Sequence, residues 1–362
     1  MSEVSLLESF KVKSKISGFY NVYFIKDLFE LQPIFSDNNI IYIIDNKVLK
    51  LYEKQFKFFN PDSRIVGIDS SEENKTIDYS QEIIRSLIDL NIRKEDKLIA
   101  IGGGITQDIV AFISSIIFRG VKWDFVPTTL LAQCDSCIGS KSSINFDKFK
   151  NLLGTFNPPD NIYVYSEFLE TLTESEIRSG IGEMLHYFFT DNINLAKKIT
   201  DEINDLINNR KKLFYFIFNS LTIKKKIIEI DEFDNSIRHI FNFGHTFGHA
   251  IEAIVNYSIP HGQAVTLGMD LANFIALKKN RICDKQFNMM HDILEKNIPS
   301  FKFTTLNINN YTNALSKDKK NKGNKIGCIL TVKPGKVEKI FIENDNWLRD
   351  CIIEYSNLYF KP

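Results

Sequence analysis

Three histidines and one glutamate carry the most specific chemistry in this 362-residue chain. His245 and His249 lie four apart in Gly244-His-Thr-Phe-Gly-His249, a spacing that puts both imidazoles on one face of a helix, and His261 follows in Pro260-His-Gly262. Imidazole nitrogens with a carboxylate oxygen are a donor set that zinc accepts, and an open coordination position makes such a site catalytic rather than structural. Glu183, in a stretch of helical spacing that starts near Ser175, is the candidate oxygen ligand. On spacing alone His245 and His249 are the paired ligands. The competing reading is that one or both simply hydrogen-bond within the core.

A second candidate is the turn Gly102-Gly103-Gly104 between a strand-like run and a helical one. Glycines there let the backbone approach a phosphate, and a helix N-terminus supplies free N–H donors and a favourable dipole. Against the G-x-G-x-x-G pattern the third glycine is missing, with Gln107 in its place, so dinucleotide binding and a plain tight turn both remain open. Arg119, Lys141, Lys150, Lys224 and Arg238 lie near these elements, although a basic residue at a surface ordinarily does no more than meet water. Cys134 and Cys137 form a lone C-x-x-C with no second pair, which reads as two small buried residues.

The elements that must position these groups follow from periodicity. Residues 40–44 are a run of branched side chains ending in Asp45-Asn46, the pattern of a buried parallel strand with polar groups at its C-terminal end, where ligands gather. Helical spacing at 79–90, a strand at 97–101, a helix at 108–118 and a strand at 123–126 continue the alternation, so an α/β domain is expected over residues 1–165. The stretches 174–190, 195–208, 211–229, 244–255 and 263–277 all carry helix-period apolar positions, so a mainly helical, metal-binding domain is expected over 166–362, with a late strand or hairpin at 326–332. No repeat or linker separates the two.

Composition bounds the partners. Forty-five basic and forty-five acidic residues cancel, which removes the electrostatic footprint of a nucleic-acid or membrane-surface binder. Residues 1–14 lack the apolar core of a secretory signal, and the longest apolar stretches, such as 109–118, fall short of the roughly 20 residues that span a bilayer. Five cysteines, an odd number, suit a reducing cytoplasm, so a cytoplasmic protein is expected.

The blocks Pro127-Thr-Thr-Leu-Leu-Ala-Gln133, Lys150-Asn151-Leu-Leu-Gly154, Arg178-Ser-Gly-Ile-Gly-Glu183, Asp231-Glu232, Asn242-Phe-Gly-His-Thr-Phe-Gly-His-Ala-Ile-Glu252 and His261-Gly262 together resemble the 3-dehydroquinate synthase family of sugar-phosphate cyclases. They run in family order from Asp45 to Lys320, more than a shared fold alone supplies. The resemblance implies a Rossmann-like first domain holding NAD+ through Asp45, Asn46, Glu72, Lys75, Gly104, Ile105, Thr106, Gln107, Asp108, Thr128, Thr129, Lys141, Lys150 and the Phe168-Leu169-Glu170-Thr171 segment. It implies a divalent metal, Zn2+ or Co2+, on Glu183, His245 and His261, which moves His249 from ligand to phosphate contact or proton-transfer residue. Lys141, Asn151, Asn242, His249 and Lys320 would gather around the substrate phosphate, with Arg119 joining from a second copy of the chain in a homodimer. Asp135 would hold substrate hydroxyls, and Lys224 with Arg238 a carboxylate. The implied reaction is transient oxidation of a 3-deoxy-ulosonate phosphate by NAD+, loss of phosphate made feasible by the acidified C–H, re-reduction, ring opening and aldol closure to a carbocycle.

The sequence departs from the family at several points. His186 replaces a lysine that faces the substrate, and an imidazole is shorter and mostly neutral at pH 7. Gln107, Ser140 and Ser143 replace glycines, and Gln263 stands where glutamate is usual. A carboxylate substrate is still expected, with a changed sugar chain or hydroxyl configuration. The alternatives are a cyclase for another sugar phosphate, an iron-type NAD-dependent alcohol dehydrogenase, and an inactive binding homologue.

Overall fold

Five consecutive residues with branched or aromatic side chains, Ile40 to Ile44, cannot all face one side of a pleated strand, so they demand cover on both faces. The computed structural model, which describes residues 8–31, 39–56, 63–147, 149–299, 307–318 and 320–359, gives them that cover. They form β3 (Ile40–Asp45) inside a seven-stranded sheet with β1 (Glu8–Ser14), β2 (Gly18–Ile25), β4 (Arg64–Ile68), β5 (Lys97–Gly102), β6 (Lys122–Pro127) and β9 (Asn161–Tyr165). The spatial order is β1-β2-β9-β6-β5-β3-β4, and all pairs are parallel except the β1–β2 hairpin at one edge. Because β3 pairs with β4 on one side and β5 on the other, the winding reverses there, and the crevice beyond the C-terminal ends of β3 and β5 is the natural ligand position. Tyr42, Ile44, Ile99, Ile101, Val126 and Phe168 share one core cluster against this sheet. A separate hairpin pairs β7 (Lys141–Phe146) with β8 (Phe149–Phe156).

The first three helices are α1 (Asn46–Leu51), α2 (Glu53–Phe56) and α3 (Ile77–Asp89), the last capped by Thr76, whose side chain accepts from Tyr79 N. The helix expected at 108–118 is α4 (Gly104–Ile116); it starts directly on the glycine turn, with Gly103 as its N-cap.

The chain forms two compact units, Met1–Leu172 with Ile228–Phe233, and Thr173–Ile227 with Asp234–Pro362. The first unit therefore extends past residue 165. The 3-10 turn Ser166–Thr171 belongs to it because Phe168 is buried in its core and Tyr52 Oη lies 3.1 Å from both Glu167 O and Thr171 Oγ1. The short return segment is held by Glu232, whose carboxylate accepts from Ser14 Oγ at 2.7 Å, from Lys15 N at 2.6 Å and from Ser140 Oγ. Ser140, one of the expected departures, sits in left-handed backbone (φ 66°) and has its hydroxyl engaged by that buried acid.

In the second unit the helical expectations appear as α5 (Glu174–Asp191), α6 (Ile193–Asp201), α7 (Ile203–Asn208), α8 (Leu213–Ile228), α9 (His245–Ile254) and α10 (His261–Lys278). The single helix read at 195–208 is two, interrupted at Glu202. Beyond them lie α11 (Asp284–Leu294), α12 (Ile308–Ser316) and α13 (Asn346–Tyr359), and the late hairpin pairs β10 (Lys325–Lys333) with β11 (Lys336–Glu343). Nearly all of α10 between Gly262 and Ala276 is buried, so it is the central helix of the unit. Its neighbours approach closely because the meeting points lack side chains. A Cβ on Gly182 would lie 1.9 Å from Gly262 O, and one on Gly262 would lie 1.8 Å from Ser179 O.

Candidate active site

In the first unit, the residues expected to meet a dinucleotide cluster at the C-terminal ends of the parallel strands. Asp45 caps α1 by accepting from Lys47 N at 2.8 Å, and Asn46 Nδ2 donates to Asp69 Oδ1 at 2.7 Å. With Gly103 as N-cap, the first turn of α4 at Gly104, Ile105 and Thr106 is the kind of terminus that leaves N–H groups for an anion. Thr106 Oγ1 lies 2.6 Å from Ser70 Oγ, Thr128 N donates to Gly102 O at 2.9 Å, and Thr129 Oγ1 accepts from Ala132 N at 3.2 Å. Gln107, in place of the third glycine, is bound at both ends of its amide to Ser136: Nε2 donates to the carbonyl and Oε1 accepts from the hydroxyl, each at 2.7 Å. Its side chain thus fastens the π-helical turn Ala132–Ser136, which carries Asp135. Cys134 in that turn and Cys137 directly after it are buried and form no disulfide.

A second cluster joins α4, the loop before α3 and the β7–β8 hairpin. Lys75 Nζ donates to Asp108 Oδ2 at 2.7 Å, and Asp108 Oδ1 accepts from Ser143 N at 3.0 Å. Burial pushes the Asp108 carboxyl above its usual range, opposed by the charge and hydrogen bond of Lys75. Asn145, absent from the sequence-based set, is the hub: Nδ2 donates to Glu72 Oε1 at 2.8 Å and Oδ1 accepts from Asn151 N at 2.9 Å. Asn151 is in left-handed backbone (φ 52°), and Lys150 Nζ lies 4.0 Å from Glu72 Oε1. Glu72, Lys75, Asp108, Lys150 and Asn151 are thereby brought together. Lys141 opens β7 and is exposed. Arg119 is exposed beyond α4, also in left-handed backbone (φ 64°), and no hydrogen bond or ion pair among the described residues joins it to this cluster.

The second unit holds the histidine cluster. The helix α5 starts at a capping box, in which Thr173 Oγ1 accepts from Glu176 N and Glu176 Oε2 accepts from Thr173 N at 2.7 Å. It carries Glu183 inward, adjacent to the Gly182–Gly262 contact. Because that contact is backbone on backbone, Glu183 and His261 meet: Glu183 Oε1 lies 3.2 Å from His261 Nε2, while Oε2 lies 3.7 Å from His245 Nε2 and 3.2 Å from His186 Nε2. His245 is the first residue of α9, and His249 is one turn on, their ring centres 5.4 Å apart. Two overlapping groups each offer ligand atoms within 4.8 Å of one another, namely His245, His249 and His261, and Glu183, His186 and His245.

The donor set fits a divalent cation. Glu183 is 2% exposed, and its Oε1 has no hydrogen-bond partner, a cost that an ion would remove. Burial, followed by the charges of His186, His249, His261 and Lys320, holds the His245 imidazole well below its ordinary value, which keeps it neutral as a ligand must be. Outer-shell contacts orient two of the rings. His261 Nδ1 lies 3.1 Å from Glu252 Oε1, and His245 Nδ1 lies 3.3 Å from Phe243 O. Glu252 was missed as a site residue although it was legible: it follows His245 and His249 at the i+7 position of the same helical face.

Beside this cluster in sequence, Asn242 Oδ1 accepts from Lys320 Nζ at 3.4 Å, and Lys320 also lies 3.4 Å from Asp318 Oδ2. Asn242 and Lys320 line a cavity of about 220 Å³ with Asp234, His239, Thr246 and Lys339. Two amines and an amide there favour an anion, opposed by the Asp234 carboxylate in the same lining and by Asp318 beside Lys320. His249 is exposed, whereas Lys224 on α8 and Arg238 on the 3-10 turn Ile237–Asn242 are buried.

The family description 3-dehydroquinate synthase N-terminal matches residues 65–179, and 3-dehydroquinate synthase C-terminal matches residues 180–321. A 3-dehydroquinate synthase from Thermoanaerobacter sp. (strain X514) is 31% identical over 341 residues, 91% of this chain and 96% of that protein. Among solved structures, 2-deoxy-scyllo-inosose synthase complexed with carbaglucose-6-phosphate, NAD+ and Co2+ superposes with a TM-score of 0.83 at 23% identity, covering 96% of this chain and 99% of the other. ValA, the 2-epi-5-epi-valiolone synthase of Streptomyces hygroscopicus subsp. jinggangensis 5008 with NAD+ and Zn2+ bound, superposes with a TM-score of 0.82 at 21% identity over 93% and 97% of the two chains. With both halves matched in order and the acid, imidazole and glycine positions of those halves packed as described, this chain belongs to the 3-dehydroquinate synthase family.

Proposed function

We propose that the chain is a phosphate-eliminating, 3-dehydroquinate synthase-like cyclase acting on a 3-deoxy-ulosonate phosphate, with NAD+ and a divalent cation, Zn2+ or Co2+. The observation that carries this reading is the convergence of a buried, unpartnered Glu183 oxygen with His245 and His261 in a chain whose two halves both match the family. NAD+ supplies a temporary hydride store and the cation a Lewis acid for the alcohol being oxidised. In the first unit, Asp45, Asn46, the α4 N-terminus and the Lys75–Asp108 pair are read as the dinucleotide contacts, with Lys150, Thr128, Thr129 and the Phe168–Thr171 segment. In the second, Asn242 and Lys320 are assigned to hold and neutralise the departing phosphate, and exposed His249 is assigned to hydrogen-bond it or move a proton. Lys224 and Arg238, both buried, are assigned to the substrate carboxylate, the role that the family resemblance gives to these two positions. Asp135 and Lys141 are assigned to substrate hydroxyls and phosphate.

A homodimer and a cytoplasmic setting belong to the same reading. Ile116 and Phe118 are 47% and 46% exposed beside Arg119, an apolar and basic patch suited to a second copy. None of the five cysteines forms a disulfide, and no helix among the described residues is long and apolar enough to cross a membrane.

The test is phosphate release by purified protein with NAD+ and Zn2+ or Co2+, screened across 3-deoxy-ulosonate, ketose and hexose phosphates. Release from the ulosonate phosphate, sustained by NAD+ in amounts far below the substrate and without a lasting rise at 340 nm, is expected. Net NADH from an alcohol would instead identify a dehydrogenase, and release confined to substrates without a carboxylate would remove the assigned role of Lys224 and Arg238.

A further inference from the structure

We infer that His186 is a fourth protein ligand of the cation held by Glu183, His245 and His261, giving this chain a centre of one carboxylate and three imidazoles that takes a substrate oxygen only by expanding to five ligands; the inference rests on the metal reading above. The sequence comparison left His186 as a short substitute for a substrate-facing lysine, but its position is wrong for that task. The ring is 2% exposed, packed against Tyr187 at 3.9 Å and Phe241 at 6.0 Å between ring centres, whereas the neighbouring His249 is the exposed imidazole. A hydroxyl or phosphate delivered from solvent meets His249 and not His186.

What His186 does face is the cation cluster. Glu183-Met-Leu-His186 is a Glu-x-x-His segment on one helix, an i, i+3 spacing that aims both side chains to the same side and that recurs where helices hold metal ions. Here the spacing is realised: Nε2 stands 3.2 Å from Glu183 Oε2, the His186 and His245 rings are 5.2 Å apart, and each of Glu183, His186 and His245 offers a ligand atom within 4.8 Å of the other two. Among the described residues no hydrogen bond claims the second nitrogen of His186. His186 Nδ1 is buried without a hydrogen-bond partner, as is Glu183 Oε1, so the pair brings two unsatisfied polar atoms into the core. A cation would satisfy Glu183 Oε1, and ligation through Nε2 accounts for the imidazole facing that acid at 3.2 Å, while His186 Nδ1 stays unpaired either way. A third nitrogen donor biases the site toward Zn2+ and Co2+ over Mg2+ and Mn2+, which prefer oxygen.

The decisive measurement counts the ligands directly. X-ray absorption of the full-length protein loaded with Zn2+ counts its imidazoles, and three are expected in the wild type and in His249→Ala, with two in His186→Ala. A parallel competition against a chromophoric chelator should show Zn2+ affinity falling at least about tenfold in His186→Ala, and the visible absorption of the Co2+ form should change in shape and intensity. Two imidazoles in the wild type, or a third that disappears in His249→Ala, overturns the assignment while leaving the cyclase reading intact. Failure of the wild type to retain Zn2+ or Co2+ at all overturns both.

Discussion

At the scale of single residues, burial separates side chains that the sequence leaves equivalent. His186, His245, His249 and His261 are four imidazoles in one region, yet His186 is sealed among rings, His261 is oriented by Glu252, and His249 is open to solvent. A fifth, His291, shows how such surroundings couple to pH. Its burial alone would lower its pKa, but the 2.8 Å hydrogen bond to Asp270, the charge of Asp270 and those of Glu295 and Asp292 outweigh that and raise it above 6.5. Asp270 also accepts from Tyr355 Oη at 2.6 Å, tying α10, α11 and α13 together. Since the folded state favours the protonated ring, this stabilisation is complete below the unfolded value near 6.5 and is lost as pH rises through the raised folded value. Thermal melts of the wild type should therefore lose stability as pH rises above about 6.5, and His291→Gln should flatten that slope; parallel slopes would exclude the coupling.

At the scale of elements, the cation site depends on how closely α5 and α10 approach. Glu183 follows Gly182 and His261 precedes Gly262, so the two proposed ligands flank the seam where each glycine meets the other helix's backbone. Gly182→Ala places a methyl group 1.9 Å from Gly262 O, and backbone cannot swing aside as a flexible side chain does. The substitution is expected to cost about 1–3 kcal/mol or more of unfolding free energy and to weaken Zn2+ binding together with stability. Urea denaturation and chelator competition on the same variant check this, and a variant with wild-type values in both would show that the seam is not what sets the ligand distance. The same reasoning explains the hub at Asn145 in the first unit: it is a hairpin residue whose partners Glu72 and Asn151 become neighbours only when β7 and β8 pair beside the loop before α3.

For the whole molecule, an ion that binds only the folded chain must raise its stability by mass action, by about 2.7 kcal/mol when free ion exceeds the dissociation constant a hundredfold. Calorimetric scans should thus show a melting temperature that rises with Zn2+ and falls on chelation, and a melt indifferent to both would argue against a native cation site. Much of this molecule was legible beforehand. Local periodicity carries the type of each long element, because a buried parallel strand such as 40–44 and an amphipathic helix such as 79–90 impose different spacings on the same apolar residues. The family blocks pointed to Glu183, His245 and His261, which the fold brings together, and to Asn242 and Lys320, which share one cavity. The β1–β2 and β7–β8 hairpins, the division of 195–208 at Glu202 and the return of Ile228–Phe233 to the first unit were not legible, since they depend on partners far away in sequence, such as Ser14 and Ser140 for Glu232. The sequence by itself determined which residue types could ligate, cap or hold an anion. Only the tertiary structure decided which of them are dry and which face water, because solvent exposure and the distance between two helices are properties of packing that no stretch of chain possesses alone.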